Sequence, residues 1–380
     1  MTKTNKLGIY VHIPFCIKKC GYCDFISFPD KSPNDWRDYK NRLVDEIKSY
    51  GNSLGGDYIV DTVFIGGGTP SLLEAGTIQD IVHQIKESFQ VDLDGEITIE
   101  ANPGTLTKEK LEEYLAVGIN RLSMGIQSFD DDLLAVLGRA HGKKEAIEAY
   151  KIAREVGFKN ISLDLMFAIP TQTMEIWEAS LCELVHLNPE HVSFYGLSYE
   201  EGTPFDQARK RKAIIPVDDN LDRMMYGKAL SLLKDSGYEH YEISSMAKDG
   251  FQCAHNLKYW SMDDYLGLGI GAHSFIRGNR ISNTRSWEGY FSANKIETHH
   301  KNSEYDNISE YIFTGMRKTQ GISFQDFKDR FHLNYFDYIG QGKEQLLGYQ
   351  NQGLLIVEIE GMRFTEAGIN LSNRILADIM

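Results

Sequence analysis

Three cysteines, Cys16, Cys20 and Cys23, stand in the stretch YVHIPFCIKKCGYCDF with the spacing C-x3-C-x2-C. One loop can turn three such thiolates toward a single centre. Two chemistries use that arrangement. A structural zinc site wants four protein ligands in a closed tetrahedron, and His12 is the nearby candidate for the fourth. Zinc ligands, however, commonly come as two separated pairs rather than one tight triplet. An iron–sulfur cube has four irons, commonly with one cysteine each. Three cysteines leave one iron open to a small ligand, and an open iron is a reactive centre. The spacing therefore favours a 4Fe-4S cluster over zinc.

The other two thiols have no partner spacing. Cys182 reads as a small buried hydrophobe on a helical face, and Cys253 as too isolated for a ligand. An odd total of five cysteines, three of them crowded, argues for metal ligation in a reducing compartment and against a disulfide framework.

Such a loop needs a scaffold, and the chain of 380 residues has room for a barrel-sized core with an appendage. Short apolar runs alternate with helical patterns. GIYVHI (8–13) predicts a strand, and a helix follows with Ser32 as N-cap, Pro33 in its first turn and Gly51 as its stop. DTVFIGGG, EITIEANP, INRLSMGIQ, ISLDLMF and HVSFYGL predict five more strands. Helices are expected at about 76–89, over KEKLEEYLAVG with Gly118 closing it, and at about 143–156, 174–187 and 218–236. Continuously apolar strands in this order belong to a parallel sheet buried on both faces. The expectation is an α/β fold, a partial (β/α)6 barrel, with ligands at the C-terminal ends of the strands. Gly66, Gly67, Gly68, Thr69, Glu100 and Gln127 fall at such ends, Asp164 lies within the fifth strand and Tyr195 on the sixth.

After about residue 300 the pattern changes. Two helical pieces split at Gly321, two short strands meet about Glu360 and Gly361, and a helix follows. This predicts a winged-helix-like α+β module over 301–380, after a barrel over 1–300. The module is mixed in charge, which favours a lid or docking role over DNA binding. The formal net charge of -14 counts against nucleic acid as the main partner. The first residues show no long apolar core after their lysines, and no run reaches the length of a bilayer span. The expectation is a cytoplasmic protein whose membrane contact is peripheral.

The cysteine triplet, preceded by YVHIPF and with Tyr22 before its last cysteine, resembles the radical S-adenosylmethionine superfamily. The resemblance implies that the open iron takes the amino and carboxylate groups of S-adenosylmethionine. It also implies that an electron from the cluster cleaves the sulfonium to methionine and a 5′-deoxyadenosyl radical. Tyr10, Tyr22, Gly67, Gly68, Thr69 and Glu100 match positions that contact this cofactor in the superfamily. GIQSF, LGRAH and LDLMFAIPTQT resemble blocks of the oxygen-independent coproporphyrinogen dehydrogenases. There Gln127, Arg139 and Asp164, with Gly196 in FYGLS, match positions that hold a second S-adenosylmethionine.

Two branches of that family compete. The dehydrogenase carries a further cysteine two positions after the triplet, where this chain has Phe25. It also has a longer N-terminal arm. HNLKYW (255–260) instead resembles the H-N-x-x-Y-W motif of a heme chaperone branch. A neutral histidine suits heme iron, and Tyr259 and Trp260 offer flat faces to a porphyrin. Read without the family, the same residues are a hydrogen-bonded loop histidine with aromatics in the core. With it, they imply heme b ligated by His255, with His273 in YLGLGIGAHSF beside it. The implied partners are heme, apo-hemoproteins of the respiratory chain and a flavodoxin- or ferredoxin-type reductant, and a homodimer stays open. The alternative is decarboxylation of coproporphyrinogen III.

Overall fold

The computed structural model describes residues 5–340 and 342–379. The first half of the chain runs β1 (Asn5–Ile13), α1 (Pro33–Leu54), β2 (Tyr58–Gly67), α2 (Ala75–Ser88), β3 (Gln90–Ala101), α3 (Lys108–Val117), β4 (Arg121–Gln127), α4 (Asp131–Leu137) and α5 (Lys143–Val156). It continues with β5 (Ile161–Phe167), α6 (Met174–Leu187), β6 (His191–Gly196), α7 (Pro204–Lys210) and α8 (Asp219–Asp235). Strands β1 to β6 pair in parallel, each with the next in the chain. This is the expected partial barrel.

The local reasons are those of the sequence. In β5 every residue but Asp164 is buried, as a strand covered on both faces requires. Ser32 caps α1 by accepting from Asp35 N, and Asp35 returns a bond to Ser32 N at 2.8 Å. Gly118 closes α3 in the left-handed conformation. Gly51 does not stop α1, which runs on to Leu54. A Cβ there would lie 2.5 Å from Ser88 Cβ, so this glycine lets α1 approach the end of α2.

Beyond the barrel come β7 (Glu239–Glu242), β8 (Ser245–Ala247), α9 (Ala254–Trp260), β9 (Tyr265–Leu268), β10 (His273–Ile276), β11 (Asn279–Asn283), α10 (Trp287–Phe291) and β12 (Ile296–Lys301). These strands extend both edges of the sheet. Among the described residues its order is β12-β11-β10-β9-β1-β2-β3-β4-β5-β6-β8-β7. Strand β9 pairs in parallel with β1, Tyr265 opposite Gly8 and Leu268 opposite Val11.

The C-terminal region holds α11 (Glu304–Gly315), β13 (Ile322–Ser323), α12 (Phe324–Phe331), α13 (Tyr335–Ile339), α14 (Gly342–Asn351), β14 (Leu355–Val357), β15 (Gly361–Phe364), α15 (Glu366–Ile369) and α16 (Ser372–Ile379). Its sheet is β13-β15-β14. Its apolar core gathers Ile312, Phe327, Leu346 and Ile375 and takes in Met262 and Phe275 from the preceding segment. The module leans on α9 and its surroundings. Arg317 stacks over Trp260 at 4.8 Å, and Lys318 Nζ donates to Ser261 Oγ at 3.1 Å. No described residue after Arg285 lines the main cavity. The module thus braces the barrel's floor and is no lid over its mouth. No helix among the described residues is long and apolar enough to cross a membrane.

Candidate functional site

A cavity of about 990 Å³ opens at the C-terminal ends of the strands and runs down inside the barrel. That is the top of the usual range for small-molecule sites, about 300–1,000 Å³, so more than one ligand can share it. Cys16, Cys20, Cys23, Tyr10, Tyr22, Gly67, Gly68, Thr69, Glu100, Gln127, Arg139, Asp164, Gly196 and His255 all line it. The barrel positions alternate along their strands, because every second side chain points inward.

The cysteine loop follows β1 and is pinned at several points. Cys23 N donates to Cys20 O at 3.2 Å, and Phe205 N at the start of α7 donates to Gly21 O at 3.0 Å. His12 Nε2 bonds Ile26 O at 2.9 Å, and its Nδ1 lies 3.0 Å from the Tyr10 hydroxyl. With both ring nitrogens engaged, His12 is not placed as a fourth zinc ligand. Burial pushes it down to about 4, so the ring is neutral. Among the described residues no three His, Cys, Asp or Glu side chains converge closely enough for one metal ion. The thiols are only part-buried. Thr69 Oγ1 donates to Cys16 Sγ at 3.6 Å, and Arg139 Nη1 to Cys20 Sγ at 3.7 Å. Burial pushes the Cys16 and Cys23 thiols up.

Around the loop the chain offers backbone and unspent donors. Gly67 has φ +114°, and a Cβ there would sit 2.5 Å from the His12 ring. Only glycine tolerates both. Its N–H donates to Glu100 Oε2 at 2.9 Å. Burial, with Asp164 adding, nevertheless pushes Glu100 up to about 7. Arg139 donates to Gly125 O at 2.7 Å and leaves a buried Nε without a partner among the described residues. Gln127 ends β4 in the left-handed region, φ 68°, beside a register shift against β5. Its Oε1 accepts from Tyr195 at 2.8 Å. Asp164 accepts from Ser123 at 3.1 Å and Ser162 at 3.0 Å, and burial raises its pKa.

These residues fit a 4Fe-4S cluster and S-adenosylmethionine. Three thiols without a fourth protein ligand would hold the cluster. The Gly67–Gly68 backbone, the orphaned Arg139 Nε and the Glu100 carboxylate would meet the polar groups of the nucleoside sulfonium. When bound, such a pair supplies one-electron reductive chemistry. The chain's part is to orient the two and to shield them from water.

The deep end is built differently. HNLKYW forms α9, which plugs the floor of the barrel. Glu96 on β3 holds its first turn, accepting from Ala254 N at 3.0 Å and His255 N at 3.1 Å. Lys258 pairs with Asp61 at 2.7 Å. His255 is fully buried and stacks on Phe64 at 5.4 Å. Its Nδ1 lies 2.8 Å from Thr62 Oγ1 and its Nε2 2.9 Å from the Tyr259 hydroxyl. Burial pushes the ring down to about 3.

Some lining residues escaped the sequence reading. Arg121 lines the cavity, is buried and keeps Nε unpartnered amid Cys253, Glu96, Tyr241 and Asp164. An arginine opening the otherwise largely apolar β4 was its signal. Cys253 is buried, donating to Glu96 at 3.6 Å. Cys182, expected buried, is exposed on α6, because that helix turns it away from Trp177 and Leu181.

Fold and cysteine loop together define a radical S-adenosylmethionine protein. The Radical SAM superfamily signature matches residues 10–181, and the HemN C-terminal domain signature residues 302–371. The chain is similar to the heme chaperone HemW of Haemophilus influenzae, 36% identical over 99% of this chain and 98% of that protein. It is likewise similar to the heme chaperone HemW of Escherichia coli, 37% identical over 86% of each. The chain belongs to the HemW family. The solved structure of coproporphyrinogen III oxidase (HemN) from Escherichia coli shares the fold, with TM-score 0.86, 24% identity, and coverage of 99% of this chain and 90% of that one.

Proposed function

We propose that the chain is a heme chaperone, binding heme b at its cavity and passing it to apo-hemoproteins such as respiratory enzymes. The observation that carries this is one cavity lined by both the cysteine loop and the HNLKYW helix. Phe25 supports the same reading, standing where the coproporphyrinogen dehydrogenases carry a further cysteine. Cys16, Cys20 and Cys23 hold the cluster. Tyr10, Tyr22, Gly67, Gly68, Thr69 and Glu100 hold S-adenosylmethionine, and Gln127, Arg139, Asp164 and Gly196 stand at the positions that match a second S-adenosylmethionine. A flavodoxin- or ferredoxin-type protein reduces the cluster. The setting is the cytoplasm, with peripheral contact at the membrane, and two copies of the chain can associate.

His255 is the heme ligand that the sequence pattern points to. Its buried ring is neutral, the form that binds iron. Ligation requires the Tyr259 bond to Nε2 to open, so Tyr259→Phe should ease heme binding and His255→Ala should alter the Soret band.

Turnover separates the two branches. The reconstituted chain, given coproporphyrinogen III, reductant and S-adenosylmethionine, should form no protoporphyrinogen IX. In the absence of that turnover it should bind hemin and load an apo-cytochrome. Robust protoporphyrinogen formation would move the chain to the dehydrogenase branch.

A further inference from the structure

A further histidine stands at the rim of the cavity. His273 starts β10, is exposed and lines the same cavity as the cysteine loop. The His273 ring makes no hydrogen bond among the described residues, and burial with the nearby charges of Arg285 and Arg280 pushes its pKa down. Arg285 also lines the cavity. Gly271 N donates to Thr284 O at 2.8 Å, and Asn283 N to Ala272 O at 2.9 Å. Those two bonds bring the chain just before His273 alongside the chain just before Arg285. The same turn presses on the cysteine loop, since a Cβ on Gly271 would overlap Ile26 Cδ1 at 1.9 Å. Next to Ile26, Phe25 leaves 65% of its surface uncovered, and Ile17 across the loop leaves 60%.

An imidazole without a hydrogen bond among the described residues, a guanidinium and an uncovered aromatic ring thus share one rim. A flat apolar macrocycle with a central iron and carboxylate arms needs those three groups. We infer that this rim is a heme-holding station, with His273 as axial ligand, Arg285 on a propionate and Phe25 against the macrocycle. It rests on the heme reading above and deepens it, because heme held here would precede any opening of the floor around His255. Coordination forms one Fe–N bond and displaces water from the iron, with no change of oxidation state.

Hemin titrated into the full chain tests the assignment through visible and electron paramagnetic resonance spectra. The unaltered chain should give an imidazole-ligated ferric spectrum. With His255→Ala already in place an imidazole-ligated signature should persist, and adding His273→Ala should remove it, which a merely structural role would not produce. Arg285→Ala should bind hemin about two- to fivefold more weakly, the scale of a solvent-exposed ion pair. It should bind hemin dimethyl ester as the unaltered chain does, and equal losses for both would remove the propionate contact. An unchanged spectrum and affinity when His273→Ala is added would overturn the rim ligand while heme binding stands. If the unaltered chain binds no hemin, the heme reading itself falls, and the rim with it.

Discussion

The mouth and the floor of the cavity use the same kinds of residue to opposite ends. At the mouth, three thiols are part-buried, Arg139 keeps an unpaired Nε, and Phe25 and His273 face outward. At the floor, His255 has both ring nitrogens bonded, Glu96 caps the helix and Lys258 is neutralised by Asp61. Unspent polar groups in a cavity are held ready for a ligand, whereas satisfied ones hold the fold. The difference teaches that a histidine in a motif and a histidine free to bind are separate facts.

The largest expected effect breaks the mouth alone. Cys20→Ser should abolish cluster loading, dropping iron from about four per chain to near zero. The metal-free chain should melt within about 0.5 kcal/mol of the unaltered one. A large loss of apo stability would erase the contrast with the floor.

The floor should instead be sensitive to acid. His255 sits at about 3, below its unfolded value near 6.5, so the native state binds fewer protons between those values. Its contribution is fully present above pH 6.5 and is lost as pH falls through 3, at most about 5 kcal/mol. Denaturant melts from pH 7 to 4 should show this slope, to which His12 at the mouth adds through its own lowered value, and His255→Gln should reduce it. Glu100 acts with the opposite sign. Its raised value, about 7 against an ordinary 4.5, removes stability from the metal-free chain as pH rises through 7.

Glu96→Ala should cost about 1–3 kcal/mol, because two backbone donors of α9 lose a half-buried acceptor and the buried Arg121 loses a nearby opposite charge. Urea melts would measure it, and a loss under 1 kcal/mol would mean that the floor helix is held by packing alone. The smallest effect belongs to Phe25→Ala, which should leave stability within about 0.5 kcal/mol while weakening hemin binding.

Much of the barrel was legible because its signals are local. Strand β5 and helix α6 begin and end where the apolar runs do, and Ser32 and Gly118 mark their helix ends by side-chain and backbone chemistry. Gly51 misled because its role is contact with a distant helix. The triplet Cys16, Cys20 and Cys23 was legible because its ligands are close in the chain. The partners of His255 were not, since Thr62 and Glu96 lie well over a hundred residues upstream. Cys182 sits on a helix as expected, but which face turns outward depends on packing that its neighbours alone do not encode.

Because β9 supplies the outer neighbour of β1, the strand that launches the cysteine loop stays a bare edge until residue 268 has left the ribosome. A nascent chain ending sooner would present unpaired amides along β1, an invitation to aggregate. Fragments cut before β9 should therefore be recovered as insoluble material.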